Sequence, residues 1–174
     1  MKANFQRALD HMLRSEGGFQ ADKRDPGNAN GGMTNLGVTK RVWEEWVGHS
    51  VTEKVMRDLK PEDVAPLYKR KYWDKVQGDF LPDGVDLAVF DAAVNSGPGR
   101  AAKWLQEMVG AKADGFIGPQ TLTTVGQIDP KKLVNDYNAH RLAFLRGLPT
   151  FPTFGKGWSN RVATVTTEAL AMTA

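Results

Sequence analysis

The sequence predicts an all-α fold, and three observations indicate it. Apolar residues recur at helical spacing through most of the chain. Proline, threonine or aspartate stands at the start of most such segments, and glycine often follows the end, as is typical of helix boundaries. One long stretch, residues 17–39, lacks this periodicity and is rich in glycine and asparagine. It predicts a glycine-rich loop or a small β-hairpin after the first helix.

The first predicted helix carries apolar residues three and four positions apart: Phe5, Ala8, Leu9, Met12 and Leu13. Gly17 and Gly18 are expected to end it, since glycine adopts the left-handed conformation that terminates helices. Glu16 falls on the apolar face in the last turn. Burial and the negative end of the helix dipole both favour the protonated form of a carboxyl group, which a general acid needs. The alternative is a surface glutamate on a frayed turn.

Three helices are expected next. Thr39 is a candidate cap for a helix that ends at Gly48, and Thr52 is a candidate cap for a shorter one. Pro61 is well placed as the first residue of the third, which is expected to continue through Trp73.

Five more helices complete the predicted fold. The segment 83–95 is apolar on most sides, which is typical of the buried centre of an α domain. Pro98 and Pro119 are expected to open the following two helices. A long helix is predicted to begin at the cap and proline of residues 129–130 and to run through Arg146, and the last covers about residues 157–170.

The composition excludes several classes of protein. The chain has 174 residues, 41% hydrophobic and 25% charged, which excludes a disordered or membrane-inserted protein. There is no cysteine for a disulfide, thiolate nucleophile or zinc site, and the three histidines lack metal-ligand spacing. The net charge is only +3 and the basic residues are scattered along the chain, which argues against a nucleic-acid-binding protein. The basic run 69–71 is expected to be a solvated helix face. The charged N-terminus lacks a signal-peptide core, so we expect a product made in the cytoplasm.

The chain is expected to form one compact monomeric unit of two lobes. Residues 1–80 would form an N-terminal lobe with the candidate acid, and residues 81–174 a helical lobe. A soft boundary lies near residues 78–83.

A second carboxylate follows Glu16 in the glycine-rich segment. Two carboxyl groups in different surroundings are the arrangement that glycosidases use, and Asp22 and Asp25 are both candidates for the second. Thr34 and Thr39 add hydroxyls that would orient a water molecule. The alternatives are a turn-forming role for Asp25 before Pro26 and a helix-capping role for Thr39.

Several sequence blocks together resemble glycoside hydrolase family 108, the N-acetylmuramidases found largely as phage and prophage endolysins. They are EGGF (16–19), DPG (25–27), GGMTNLGVT (31–39), YW (72–73), AVNSG (93–97), RAAKWLQ (100–106), DGFIGPQTL (114–122) and FGKGWSNRV (154–162). The later blocks resemble the family's C-terminal peptidoglycan-associated region, and the match covers about residues 4–165. Three residues, 28–30, make the DPG-to-GMTN spacing longer than is usual in the family.

The resemblance implies a lysozyme-like fold that hydrolyses the β-1,4 bond between N-acetylmuramic acid and N-acetylglucosamine. Glu16 corresponds to the family's catalytic glutamate, and Asp25 and Thr34 would position water. No metal or organic cofactor is needed. The implied partner is the peptidoglycan glycan strand, reached in the periplasm after release through a holin. The alternatives are a non-catalytic wall-binding or secretion-activator-type module, and a lytic transglycosylase.

Three further residues are candidates for substrate binding. The resemblance places the Asn95 segment facing the cleft, which implies a hydrogen bond to an acetamido group; the alternative is a cap before a turn. Trp73 would stack on a sugar face or pack in the core. Tyr137 and Arg141 lie four apart on one helix face, where they would share a cleft wall or pack together.

Overall fold

Nine α-helices and one two-stranded hairpin form the described part of the chain in this computed structural model, which covers residues 2–22 and 32–174. The all-α prediction is confirmed, as is the small hairpin after the first helix. In chain order the elements are α1 (Lys2–Glu16), β1 (Thr34–Asn35), β2 (Val38–Thr39), α2 (Lys40–Val47), α3 (Glu53–Arg57), α4 (Pro61–Tyr68), α5 (Val85–Ser96), α6 (Pro98–Val109), α7 (Pro119–Val125), α8 (Pro130–Arg146) and α9 (Phe151–Met172).

The predicted caps form the expected hydrogen bonds. The Thr39 hydroxyl accepts from the backbone N–H of Val42 at 3.1 Å, so the capping role of Thr39 is confirmed. Asp129 does the same at the start of α8, where its carboxylate accepts from Lys132 N–H at 2.9 Å. Local sequence therefore determines where these helices begin.

Two helices differ from the prediction. α4 ends at Tyr68 and continues as a π-helical segment, Lys69–Trp73. α9 begins at Phe151, earlier than expected, because proline is tolerated in its first turn. Its two glycines obscured the helical pattern in the sequence. At one of them, Gly155, a Cβ would lie only 2.6 Å from the Phe151 ring, so the absence of a side chain lets the ring pack against the helix.

The chain divides into two compact units, residues 9–69 and residues 1–8 with 70–174. This division differs from the expected lobes 1–80 and 81–174. The reason lies in α1, whose first turns pack within the larger unit. There the Phe5 ring lies edge-on to Trp73 and Phe90, with ring centroids 5.4 and 6.0 Å away.

The smaller unit, residues 9–69, contains the hairpin. Thr34 pairs with Thr39 and Asn35 pairs with Val38, so the turn has only two residues. Gln20, soon after α1, bridges to Thr34 through two backbone hydrogen bonds of 2.8 Å. Apolar side chains fill the core beside it, among them Leu9, Met12, Val38, Trp43, Met56, Val64 and Leu67.

The larger unit is built around α5. Nine consecutive residues of this helix, Val85 to Ala93, are buried, as its apolar sequence predicts. α6, α8 and α9 pack against it, and α8 also packs along α9. The predicted central helix is therefore confirmed.

A buried ion cluster crosses this core. Asp91 of α5 and Arg141 of α8 have side chains with 0% exposure, and their Oδ2 and Nη1 atoms are 2.8 Å apart. Arg161 of α9 adds hydrogen bonds of 3.1 Å to both carboxylate oxygens. Burial alone would raise the pKa of Asp91, but the two guanidinium groups outweigh it and hold the pKa below its ordinary value. The carboxylate is thus ionised inside the core.

A second buried carboxyl group lies at the start of α5. Asp86 is 1% exposed. Its Oδ2 accepts from Asn4 Nδ2 at 2.8 Å, and its Oδ1 accepts from the backbone N–H groups of Gly84 and Leu87 at 2.9 and 2.7 Å. Burial exceeds the effect of these hydrogen bonds and raises the pKa of Asp86 to about 6.

Asp86 should therefore make stability depend on pH. Between its ordinary pKa of 3.8 and about 6, the folded chain holds a proton that the unfolded chain has lost. The resulting stabilisation is complete below pH 4 and is lost as the pH rises to 6, a change of about 3 kcal/mol at most. In urea unfolding at pH 4, 5, 6 and 7, Asp86→Asn should remove this slope, whereas Glu62→Gln on the exposed face of α4 should keep it. The same slope in Asp86→Asn would contradict the assignment.

Candidate active site

Glu16 is the last residue of α1, and its side chain is half-buried. Gly17 follows with φ +72°, the left-handed conformation that ends the helix as the sequence predicts. The helix therefore delivers a carboxyl group to the point where the chain turns toward the hairpin.

The hairpin turn lies directly against this carboxyl-bearing side chain. Leu36 and Gly37 form the turn with φ values of +52° and +77°, as a two-residue type I′ hairpin requires. A Cβ added to Gly37 would lie 3.0 Å from Glu16 Cγ and 2.5 Å from Tyr68 Oη. Any larger residue would therefore displace one of these side chains.

Two buried polar side chains hold the turn in place. Tyr68, 2% exposed, donates its hydroxyl proton to the Leu36 carbonyl at 2.7 Å. Asn35, 5% exposed, donates to the Met56 and Arg57 carbonyls at 2.8 and 3.3 Å. Neither residue is singled out by the helical and turn patterns of the sequence. Tyr68 lies on the apolar face of α4, and a buried hydroxyl group needs a hydrogen-bond partner, so its position alone indicates a contact with another segment.

Gly37→Ala tests the contact with Glu16. Alanine in a left-handed conformation should cost about 1 kcal/mol of stability, and the crowded Cβ should shift Glu16 or Tyr68. The family resemblance makes Glu16 the reacting group, so we expect glycan-cleaving activity to fall at least tenfold, because small misplacements of a reacting group are costly. Turbidity clearing of permeabilised Gram-negative cells measures the activity.

Gly48→Ala is the matched control for this variant. Gly48 has a similar φ of +83°, but a Cβ there meets nothing within 4 Å. It should lose similar stability and keep its activity. Equal activity in the two alanine variants would show that the turn does not position Glu16.

The water-positioning candidates are only partly described. Thr34 lies in β1, half-buried, and belongs to the same unit as Glu16. Asp25 lies outside the described residues. In the described part, no three His, Asp or Glu side chains are grouped to hold a metal ion. Nor is any helix there long and apolar enough to cross a membrane.

Asn95 is held by a hydrogen bond from the buried ion cluster. It lies near the end of α5 and is half-buried. Arg141 Nη2 donates to its side-chain oxygen at 3.1 Å. Because a guanidinium group can only donate, the atom facing it must be the amide oxygen, which leaves the NH₂ group for another acceptor.

Trp73 and Tyr137 are core residues. Trp73 has 0% exposure, donates its indole N–H to Asp79 Oδ1 at 3.0 Å, and so has no free face for a sugar. Tyr137 is 1% exposed and donates its hydroxyl to the Ala101 carbonyl at 2.9 Å. Burial raises the pKa of Tyr137. Both side chains are therefore packed in the core and do not line a cleft wall, because their polar atoms are already paired inside the larger unit.

Comparison with known proteins agrees with this architecture. The family model described as glycosyl hydrolase 108 matches residues 9–97, and one described as a predicted peptidoglycan domain matches residues 100–163. No curated protein matches the chain. The solved structure of Brucella abortus SagA is similar, with 42% sequence identity, a TM-score of 0.87, and coverage of 99% of this chain and 97% of that one. This chain therefore belongs to the glycosyl hydrolase 108 family, as a lysozyme-like glycoside hydrolase that acts on peptidoglycan.

Proposed function

We propose that the protein is an N-acetylmuramidase that hydrolyses the β-1,4 bond between N-acetylmuramic acid and N-acetylglucosamine, with Glu16 as the general acid. The observation that carries this proposal is the placement of Glu16. It ends α1 within the segment that matches the hydrolase family, and Gly37 of the hairpin turn lies against its side chain. A carboxyl group held in this way is suited to protonate a leaving oxygen.

The reaction needs one proton donor and one activated water. As the general acid, Glu16 gives a proton to the glycosidic oxygen while the C1–O bond of muramic acid breaks. Water then adds to the oxocarbenium-like carbon, and a carboxylate removes the extra proton, which leaves a reducing muramic acid end. We assign that carboxylate to Asp25 and the orientation of the water to the Thr34 hydroxyl, on the basis of the family resemblance.

Asp25→Ala should lower activity by about 10²- to 10⁴-fold, the usual contribution of one acid–base group. The substrate is purified peptidoglycan, and the measurement is the rate of release of reducing ends. Asp58→Ala, an exposed carboxylate at the end of α3, is the control and should be neutral. Full activity in Asp25→Ala would show that another group activates the water.

Asn95 is the proposed contact to an acetamido group of the substrate. Its side-chain oxygen is held by Arg141 Nη2, so its NH₂ group is oriented to donate. An acetamido carbonyl is a suitable acceptor. The Arg141 guanidinium group that pairs with Asp91 in the core therefore also orients the Asn95 side-chain amide toward the substrate.

The biological setting stays a prediction from the resemblance. It comprises an endolysin role as a monomer, release through a holin and action on the wall in the periplasm. Action on peptidoglycan itself agrees with the peptidoglycan domain matched at residues 100–163.

A further inference from the structure

A concave surface lies in the larger unit. It is a pocket of about 640 Å³ between the first turns of α6 and the loop of residues 112–118, which we call the α6 pocket. Arg100, Lys103 and Trp104 line it from α6, and Gly115 and Phe116 line it from the loop. The pocket lies mostly within the region that matches the peptidoglycan domain.

One buried glutamine holds the loop. Gln106 of α6 is 1% exposed. Its Nε2 donates to Asp114 Oδ1 and to the Phe116 carbonyl, both at 2.9 Å, and its Oε1 accepts from Gly115 N–H at 2.9 Å. Asp114 Oδ1 also accepts from Phe116 N–H at 3.0 Å. The backbone of the loop tip is therefore tied to the helix at several points.

This rigid loop presents an apolar ring to solvent. Phe116 is 81% exposed, the highest exposure among the large hydrophobic residues of the described chain. Gly115 adopts φ +83°, which sets the direction of the turn. A loop whose polar groups are satisfied while its phenylalanine stays in water is typical of a recognition surface and not of a packing element.

The pocket also carries an excess of positive charge, because three cations line it against the two carboxylates of Glu107 and Asp114: Lys75, Arg100 and Lys103. Within residues 2–22 and 32–174, no carboxylate lies within ion-pair distance of Arg100 or Lys103. The Arg100 guanidinium lies 4.5 Å from the centre of the Phe144 ring, which holds it in place. Glu107, on the pocket wall, is engaged by His140 at 3.2 Å. Charge and shape together fit an anionic ligand with small apolar groups.

We propose that the α6 pocket binds the stem peptide of peptidoglycan. The inference rests on the proposed action on peptidoglycan and names the part of the polymer that this pocket recognises. In peptidoglycan that carries peptides, the free carboxylates belong to the stem peptides, because the lactyl carboxyl group of each substituted muramic acid is amide-linked to its peptide. Arg100 and Lys103 pair with peptide carboxylates, and the Phe116 ring packs on alanyl methyl groups. The pocket thereby favours strands that still carry peptides.

Binding by catalytically inactive protein tests the assignment. Glu16→Gln protein is titrated calorimetrically with a disaccharide-tetrapeptide and with a bare disaccharide of N-acetylglucosamine, which carries no carboxylate. Adding Arg100→Glu with Lys103→Glu, or adding Phe116→Ala, should weaken binding of the disaccharide-tetrapeptide at least tenfold and leave the bare disaccharide unchanged. Adding Lys131→Glu with Arg146→Glu, an equal charge change on α8, should alter neither.

Two results of these titrations would overturn the stem-peptide proposal. Equal peptide affinity in the α6 pocket variants and the α8 control would overturn the proposal. An equal loss for the bare disaccharide would overturn it too, because the pocket would then bind glycan. Should the double glutamate variant fail to fold, Arg100→Gln with Lys103→Gln gives the same comparison. Loss of peptide binding in these variants with no cleavage by the wild-type chain would contradict the muramidase proposal and not this one.

Discussion

Replacing Glu16 with glutamine is expected to abolish wall lysis and leave the fold intact. Glutamine has nearly the same shape, so the side chain keeps its place beside the Gly37 turn. It carries no acidic proton, and loss of a general acid costs about 10²- to 10⁴-fold. The measurement is turbidity clearing of permeabilised Gram-negative cells, with thermal unfolding as the check on stability.

Glu62→Gln is the matched control for that variant. It makes the same chemical change on an exposed position of α4 and should lyse cells at the wild-type rate. Lysis by Glu16→Gln at a rate close to this control would remove Glu16 from the mechanism.

Asp91→Asn is expected to cause the largest loss of stability. The change leaves Arg141, with 0% side-chain exposure, without a counter-charge inside the core. Breaking a buried ion pair by removing one partner costs about 3–5 kcal/mol. Urea unfolding should show a lower midpoint with an unchanged slope, because the surface exposed on unfolding is the same.

A triple variant separates charge from packing. Asp91→Leu with Arg141→Met and Arg161→Met replaces all three members of the cluster by apolar side chains and should recover much of the lost stability. It also removes the guanidinium group that orients Asn95. We therefore expect a stable protein with weakened substrate binding. Equal stability of Asp91→Asn and the wild type would contradict the buried-pair interpretation.

The sequence predicts helices well here because their signals are local. A cap such as Thr39 and its partner lie three residues apart, so both are visible in one window of sequence. The same is true of Glu16, whose position follows from the apolar stripe before it and the glycines after it. These features need no knowledge of tertiary structure.

Contacts over long sequence separations could not be predicted in this way. Gly37 touches Glu16 and Tyr68, which lie far from it in the chain, and only the folded hairpin brings the three together. The burial of Trp73 could not be predicted for the same reason. Its burial depends on Phe5 and Phe90, which come from distant helices.

The buried ion cluster left a signal that the sequence analysis did not use. Asp91 stands in the middle of an otherwise apolar helix, where an ionised carboxylate must be paired. The helical spacing of Arg141 and Tyr137 predicts either a cleft-wall pair or a packed pair. The structure shows both side chains buried, and Arg141 is the partner of Asp91.

Mass spectrometry of the products from purified peptidoglycan tests the central claim most directly. Hydrolysis by a muramidase with Glu16 as the acid predicts fragments that end in reducing N-acetylmuramic acid, and none from the Glu16→Gln protein. Anhydro-muramic acid ends would instead identify a lytic transglycosylase. Complete absence of glycan fragments from the wild-type protein would identify a wall-binding module, and either result would contradict the account.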